Sequence, residues 1–298
     1  MTMFYNTGTG SRCVLALVLL ALLSTGVNAQ QHYPASGLVL SVDRDRQTMT
    51  VSLHEIPGFM EAMVMTFTVP DARSLAQLTR GIMIDFTLAV DKDASHAENV
   101  RIRHYDSPER EPASASRLKV LDEALRGPAH PLTVGQTVPD FVLTDQQRRP
   151  THLRQFAGKV IAVNFVYTRC VLPEYCLRSS NNFGALQKQF QNRVGKDLAL
   201  LTITLDPVHD QPEILRDYAS KFKADPENWR FLTGAAADVQ RAGDLFGVTF
   251  VPAEGLFVHS QRTAIIGRDG KLIANLEGNE FTSRQFADLL ATALDPAK

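Results

Sequence analysis

Cys170 and Cys176 are the side chains in this sequence with the widest chemistry open to them. They stand in Val-Asn-Phe-Val-Tyr-Thr-Arg-Cys-Val-Leu-Pro-Glu-Tyr-Cys, residues 163–176, where an apolar run gives way to a loop. Paired thiols at a strand end can bind a soft metal, exchange electrons or close a disulfide. A second set of soft donors, His54, Met60, Met63 and Met65, lies far upstream. Thioether sulfurs with one imidazole make an uncharged site that selects Cu(I) or Ag(I) over zinc. Thioethers also form no disulfides, which suits an oxidising compartment.

The surroundings of each cluster add detail. Cys176 leads into a helical pattern, with Ser179 or Ser180 available as a cap, and a helix start favours thiolate. Five residues separate the cysteines, Pro173 among them, so a structural disulfide stays open. His259, in Phe257-Val-His-Ser-Gln, is the candidate third ligand, although a lone histidine is more often structural. Met63 and Met65 are two apart on an extended run, so they share a face with Phe67. His54 lies across a Pro57-Gly58 turn from them. The competing reading is that these methionines fill a core.

The chain has 298 residues and a formal net charge of -1, which suggests two domains. No basic run is present to track phosphates, so nucleic acid is not an expected partner. Residues 1–29 read as a secretory signal: Arg12, the apolar Val14–Leu23, then Val27-Asn-Ala29 as a cleavage site. That run is short of the roughly 20 apolar residues of a spanning helix. An uncleaved anchor is the alternative. Cys13 precedes the apolar run and leaves with the signal, so the mature thiols face an exported, periplasmic environment.

Elements that would position these residues follow from periodicity. Residues 37–104 hold five short β-rich runs, from Leu38-Val-Leu-Ser-Val to Val100-Arg-Ile-Arg, with a helical patch at Ala72–Leu78. That fits a small all-β, OB-like barrel. Residues 105–133 have linker composition, with a short helix expected at Ser116–Leu125. From residue 134 to 298 strands and helices alternate. Val160–Val166 and Leu198–Leu205 are apolar throughout, as strands covered on both faces are. Asp210 is a candidate cap for the helix beginning near Pro212, and Ala264–Leu276 reads as a hairpin around Asp269-Gly270. A final helix starts at Thr282 or Ser283. This βαβ then ββα order predicts an α/β thioredoxin-like domain.

The segment from about residue 135 onward resembles the Sco/SenC family of thioredoxin-fold copper proteins. The landmarks are Pro139-Asp-Phe, Gly158-Lys, Tyr167-Thr-Arg-Cys, Asp206-Pro-Val-His-Asp210, Asn228–Gly234, Val258-His-Ser260 and Gly267-Arg-Asp-Gly270. The resemblance implies copper held by Cys170, Cys176 and His259, with Asp206 and Asp210 in a loop near the site. It departs from the family in the cysteine spacing, which is commonly three residues with a proline directly after the first; here Val171 stands there.

Residues 37–104 resemble the CusF-type periplasmic copper-binding domain, through His54, Ile56, Met63, Met65 and Phe67. That pattern carries a tryptophan three residues before the first methionine, and Met60 replaces it here. The resemblances together imply an exported metallochaperone for Cu(I)/Cu(II) that serves a respiratory cytochrome oxidase, either delivering copper to its copper-site subunit or reducing its copper-site thiols. Two other readings remain. One is a thiol–disulfide oxidoreductase, served by a thiol reductant and needing only the cysteines. The other is copper sequestration for resistance.

Overall fold

The computed structural model describes residues 1–2, 30–91, 95–105, 131–253 and 256–295. Most of the expected signal, Cys13 and the Ser116–Leu125 helix lie outside them. Among the described residues, no helix is long and apolar enough to cross a membrane.

The first domain is a closed barrel of strands β1 (Gln31–Asp43), β2 (Thr48–Leu53), β3 (Val64–Thr68), β4 (Met83–Val90) and β5 (Ser95–Ile102), in spatial order β1-β2-β3-β5-β4. Helix α1 (Ala72–Gln77) is capped by the Asp71 carboxylate. β1 starts at Gln31, ahead of the Gly37 expected from sequence. Over Gln31–Ser36 it pairs with β4 alone, so Pro34 needs no ladder bond to a second strand. Alternation fills the interior with Val39, Val51, Leu53, Phe67 and Ile84, all fully buried.

The second domain is a seven-stranded sheet in the order β14-β13-β8-β9-β10-β6-β7. Its strands are β6 (Val142–Asp145), β7 (Pro150–His152), β8 (Val160–Val166), β9 (Leu198–Thr204), β10 (Trp229–Thr233), β13 (Arg262–Ile266) and β14 (Leu272–Glu277). β8, β9 and β10 are parallel, whereas β13 and β14 form the antiparallel hairpin. Between them, β11 (Phe250–Ala253) and β12 (Leu256–His259) make a separate ribbon that presents His259.

Successive β8 residues serve opposite cores. Val160, Ala162 and Val166 pack with Phe183, Leu186 and Phe286 from helices α2 (Arg178–Gln189) and α5 (Ser283–Leu294). Ile161, Val163 and Phe165 pack with Val239 and Phe246 of and beyond helix α4 (Ala236–Leu245). Helix α3 (Pro212–Lys221) adds Leu215 and Tyr218 to the first core. This is the predicted thioredoxin-like arrangement, and the apolar β8 and β9 runs are explained by two covered faces.

The two domains share a packed boundary. Leu38, Leu40 and Met83 of the barrel belong to the same core cluster as Leu289 and Leu290 of α5. Around this patch, Ser52 Oγ donates to Asp288 at 2.7 Å and Gln285 Nε2 donates to Ser52 O at 2.9 Å. Arg284 donates to Ala62 O at 2.6 Å and Leu53 O at 2.9 Å. α5 begins with a capping box between Thr282 and Gln285, which fixes where these side chains emerge.

Candidate metal centre

Cys170 lies in the loop after β8, half-buried, and Cys176 is buried. The two thiols are unbridged and hydrogen-bonded to each other. Donation from Cys176 is the largest influence that lowers Cys170, to about 6, and the Cys176 N–H and Tyr167 hydroxyl add to it. The same bond, with burial, pushes Cys176 upward. One sulfur is thus prepared as thiolate and its neighbour held as thiol.

Cys176 does not lie in the first turn of an ordinary α-helix. Pro173–Leu177 form a π-turn that runs directly into α2, with Arg178 N–H reaching both Pro173 O and Tyr175 O. The wide turn absorbs part of the five-residue spacing. Neither serine caps this helix, contrary to the sequence expectation. Ser179 Oγ accepts from Asn164 Nδ2 at 2.8 Å, and Ser180 pairs with the Tyr218 hydroxyl at 3.0 Å. Asn164 in turn accepts from Thr202 at 2.7 Å, so the start of α2 is tied through buried side chains to β8 and β9.

The loop that carries Cys170 is held from the opposite side. Asp210 is not the cap of α3; Gln211 occupies that position without a side-chain bond. The buried Asp210 carboxylate accepts from Thr168 N at 2.9 Å, Thr168 Oγ1 at 2.5 Å and Thr204 Oγ1 at 2.5 Å. Asp206 accepts from Arg169 through Nε at 3.0 Å and through the terminal nitrogen at 2.5 Å. These two aspartates position the residues immediately before Cys170.

His259 stands on β12, with Tyr167 between it and Cys170. The Tyr167 and His259 rings meet edge-on at 5.8 Å, and the Tyr167 hydroxyl donates to Phe257 O at 3.3 Å. Burial and the nearby thiols raise Tyr167 to about 12, so it stays a neutral donor. Burial lowers His259, which keeps its ring neutral near pH 7. Gln261 Nε2 lies 3.2 Å from its Nε2, and Ser260 O lies 3.0 Å from its Nδ1. Among the described residues, no three His, Cys, Asp or Glu side chains are gathered closely enough to hold an ion. The structure therefore joins the two thiols and leaves His259 at one ring's remove. Tyr167 and Gln261 are functional neighbours that sequence reasoning did not single out; the Tyr-Thr-Arg-Cys run was their nearest signal.

In the barrel, Met63, Met65 and Phe67 descend along one face from exposed to half-buried to fully buried. Met60 is half-buried against the barrel core. The register sets Leu53, not His54, opposite Met63, through Leu53 N donating to Met63 O at 2.8 Å. His54 is the next residue along, half-buried, with its ring lowered first by burial and then by Arg103. Glu280 acts on it in the opposite sense, and Arg284 and Arg178 add to the lowering. Phe59, next to Met60 in the chain, stacks on Tyr33 of β1 at 3.9 Å between centroids. His104 and His209 are exposed, and His152 pairs with Asp140, so none joins either cluster.

Adjacent thiols, neutral imidazoles and a partly exposed thioether pair are a donor set suited to Cu(I). The comparisons agree. The family model described as SCO1/SenC matches residues 130–295, and that of the copper-binding periplasmic protein CusF matches residues 32–104. A Stutzerimonas stutzeri protein named for copper binding is 31% identical over 142 residues, covering 46% of this chain and 67% of its own. The SCO1 protein homolog of Bacillus subtilis is 26% identical over 149 residues, covering 49% and 76%. A crystal structure of a SCO1/SenC family lipoprotein from Bacillus anthracis aligns at 25% identity and TM-score 0.49, covering 55% of this chain and 98% of the other. Both halves thus fall among copper-binding families. The chain belongs to the SCO1/SenC family and carries a CusF-type barrel ahead of its thioredoxin-like domain.

Proposed function

We propose that this chain is an exported copper carrier with two sites, whose leader at residues 1–29 directs export. His54, Met63 and Met65, with Met60 alongside, take up Cu(I) at the barrel. Cys170, Cys176 and His259 hold copper in the second domain and pass it to a client. The client is the copper-site subunit of a respiratory oxidase. The observation that carries this reading is the polarised thiol pair, with a buried histidine one ring away across Tyr167.

Transfer proceeds by ligand exchange. Cys170 attacks first because it is the less buried, thiolate-prone sulfur, and Cys176 follows by releasing its proton to water as it binds. His259 joins once Gln261 gives up its contact with the ring, closing a three-ligand site. An ion held by neutral imidazole and two sulfurs at a partly exposed loop is accessible to an incoming client thiolate.

A second reading has its own support. An acidified, accessible cysteine backed by a buried partner is also the arrangement of a nucleophile and a resolving thiol. Copper titration of the reduced chain separates the two. The carrier binds two coppers, with one lost in Cys176→Ser or His259→Ala and the other in Met65→Leu. Unchanged binding in His259→Ala removes that ligand from the account, and no Cu(I) binding at all leaves the redox enzyme.

A further inference from the structure

The two soft-donor clusters border the same short segment of chain, Gly278–Arg284. At one end, Asn279 Nδ2 donates to Glu174 O, two residues before Cys176. Arg178, two residues after Cys176, donates to Glu280 O at 3.3 Å. At the other end, Arg284 grips Leu53 O and Ala62 O, the carbonyls beside His54 and Met63. Glu280 also pairs with Arg103 of the barrel at 3.4 Å. Gly278 has φ +73, and a Cβ there would come within 2.4 Å of the Tyr105 ring, so the segment lies tight against the end of the barrel. Asn279 and Arg284 are five residues apart, a span of at most about 18 Å even fully extended. Arg178, the first residue of α2 and two residues after Cys176, is close enough to His54 to act on its charge.

We propose that the chain carries out an internal transfer of Cu(I), from the His54–Met63–Met65 donors across the Gly278–Arg284 junction to Cys170 and Cys176. The proposal rests on the two-site reading above and adds the route and direction. The direction follows from charge. The barrel donors are neutral, and Arg103, Arg178 and Arg284 lie close enough to His54 to oppose added positive charge, with Glu280 acting the other way and Asp85 paired to Arg103. A cation is therefore held less firmly there than between two anionic sulfurs. In the step, copper stays Cu(I). Its bonds to the imidazole nitrogen and the thioether sulfurs break, two bonds to thiolate sulfur form, and each thiol still protonated gives its proton to water. No oxidant or reductant is consumed.

Anaerobic stopped-flow mixing of the reduced two-domain chain with one equivalent of Cu(I) tests this, with the thiolate-to-Cu(I) ultraviolet absorption as readout. The expected growth of that band is first order and unaffected by dilution. The control carries the same ion between molecules: Cu(I)-loaded Cys170→Ser/Cys176→Ser chain mixed with Met63→Leu/Met65→Leu chain. At about 10 µM, with an effective concentration of about 1 mM within one chain, transfer in trans should be roughly 100-fold slower. Arg284→Ala should slow the internal phase while that variant's copper stoichiometry stays at the wild-type value. A wild-type rate that scales with protein concentration, or that equals the rate in trans, overturns the internal route and leaves the two sites standing. A Cys170→Ser/Cys176→Ser chain that takes up no Cu(I) overturns the route and the two-site reading together.

Discussion

Asp210 accepts the backbone N–H of Thr168 at 2.9 Å, which fixes the chain two residues before Cys170 from an element that is remote in sequence. The same carboxylate holds the hydroxyls of Thr168 and Thr204, with Asp210 and Thr204 fully buried. Asp210→Ala should strand several donors in a buried site at a cost of about 3 kcal/mol. Urea unfolding measures the loss. Asp210→Asn should lose less, and a variant as stable as wild type would remove the aspartate from its positioning role.

The asymmetry of the thiols gives a pH signature. Cys170 is held near 6 by its bond from Cys176, below a free thiol at about 8.5. Its folded value is depressed, so its contribution to stability is present above the unfolded value and fades as pH falls through 6. Iodoacetamide labelling of Cys170 should rise with a midpoint near pH 6. In Cys176→Ala the midpoint should move up, since the largest source of thiolate stabilisation is gone. Equal midpoints in the two chains would contradict the assignment.

Packing and ligation can be told apart in the barrel. Met65 is half-buried, and Met65→Leu conserves its volume, so stability should fall by under about 1.5 kcal/mol. Phe67, two residues further, is fully buried, and Phe67→Ala should cost about 3–5 kcal/mol. Thermal unfolding together with Cu(I) titration checks the contrast: Met65→Leu should lose barrel copper while remaining folded.

The boundary between domains carries its own prediction. Leu38 is fully buried in the cluster that includes α5, and Leu38→Ala should cost about 2–5 kcal/mol. Calorimetry should show wild type melting in one coupled transition and the variant splitting into two. A single sharp transition in both would mean that this patch does not couple the domains.

Sequence legibility followed the range of the interaction. Short β-rich runs between turns revealed the barrel strands, and doubly covered strands announced themselves as the apolar runs of β8 and β9, because those patterns are local. The start of the last helix at Thr282 or Ser283 was likewise visible, and the structure places its cap at Thr282. Asp210 looked like a helix cap because Asp before Pro usually is one, and only the tertiary fold brings Thr168 to compete for it. Ser179 and Ser180 misled in the same way, drawn off by Asn164 and Tyr218. Cys170, Cys176 and the methionine face were readable from residue type. Tyr167 between thiol and imidazole was not, because nothing in its neighbours encodes the approach of β12.

The π-turn around Cys176 has a mechanical consequence. A turn with one residue more than an α-helix can pass that surplus along the chain by exchanging i+5 for i+4 bonds. Each step of such a migration would rotate the residues it passes by about 100° around the helix axis. Arg178, whose N–H already reaches two carbonyls, stands at the point where the exchange would begin. Such a migration would act as a ratchet, turning Cys176 from its partner sulfur without unfolding α2. Amide exchange at residues 174–178 that slows when copper binds would show the ratchet locked.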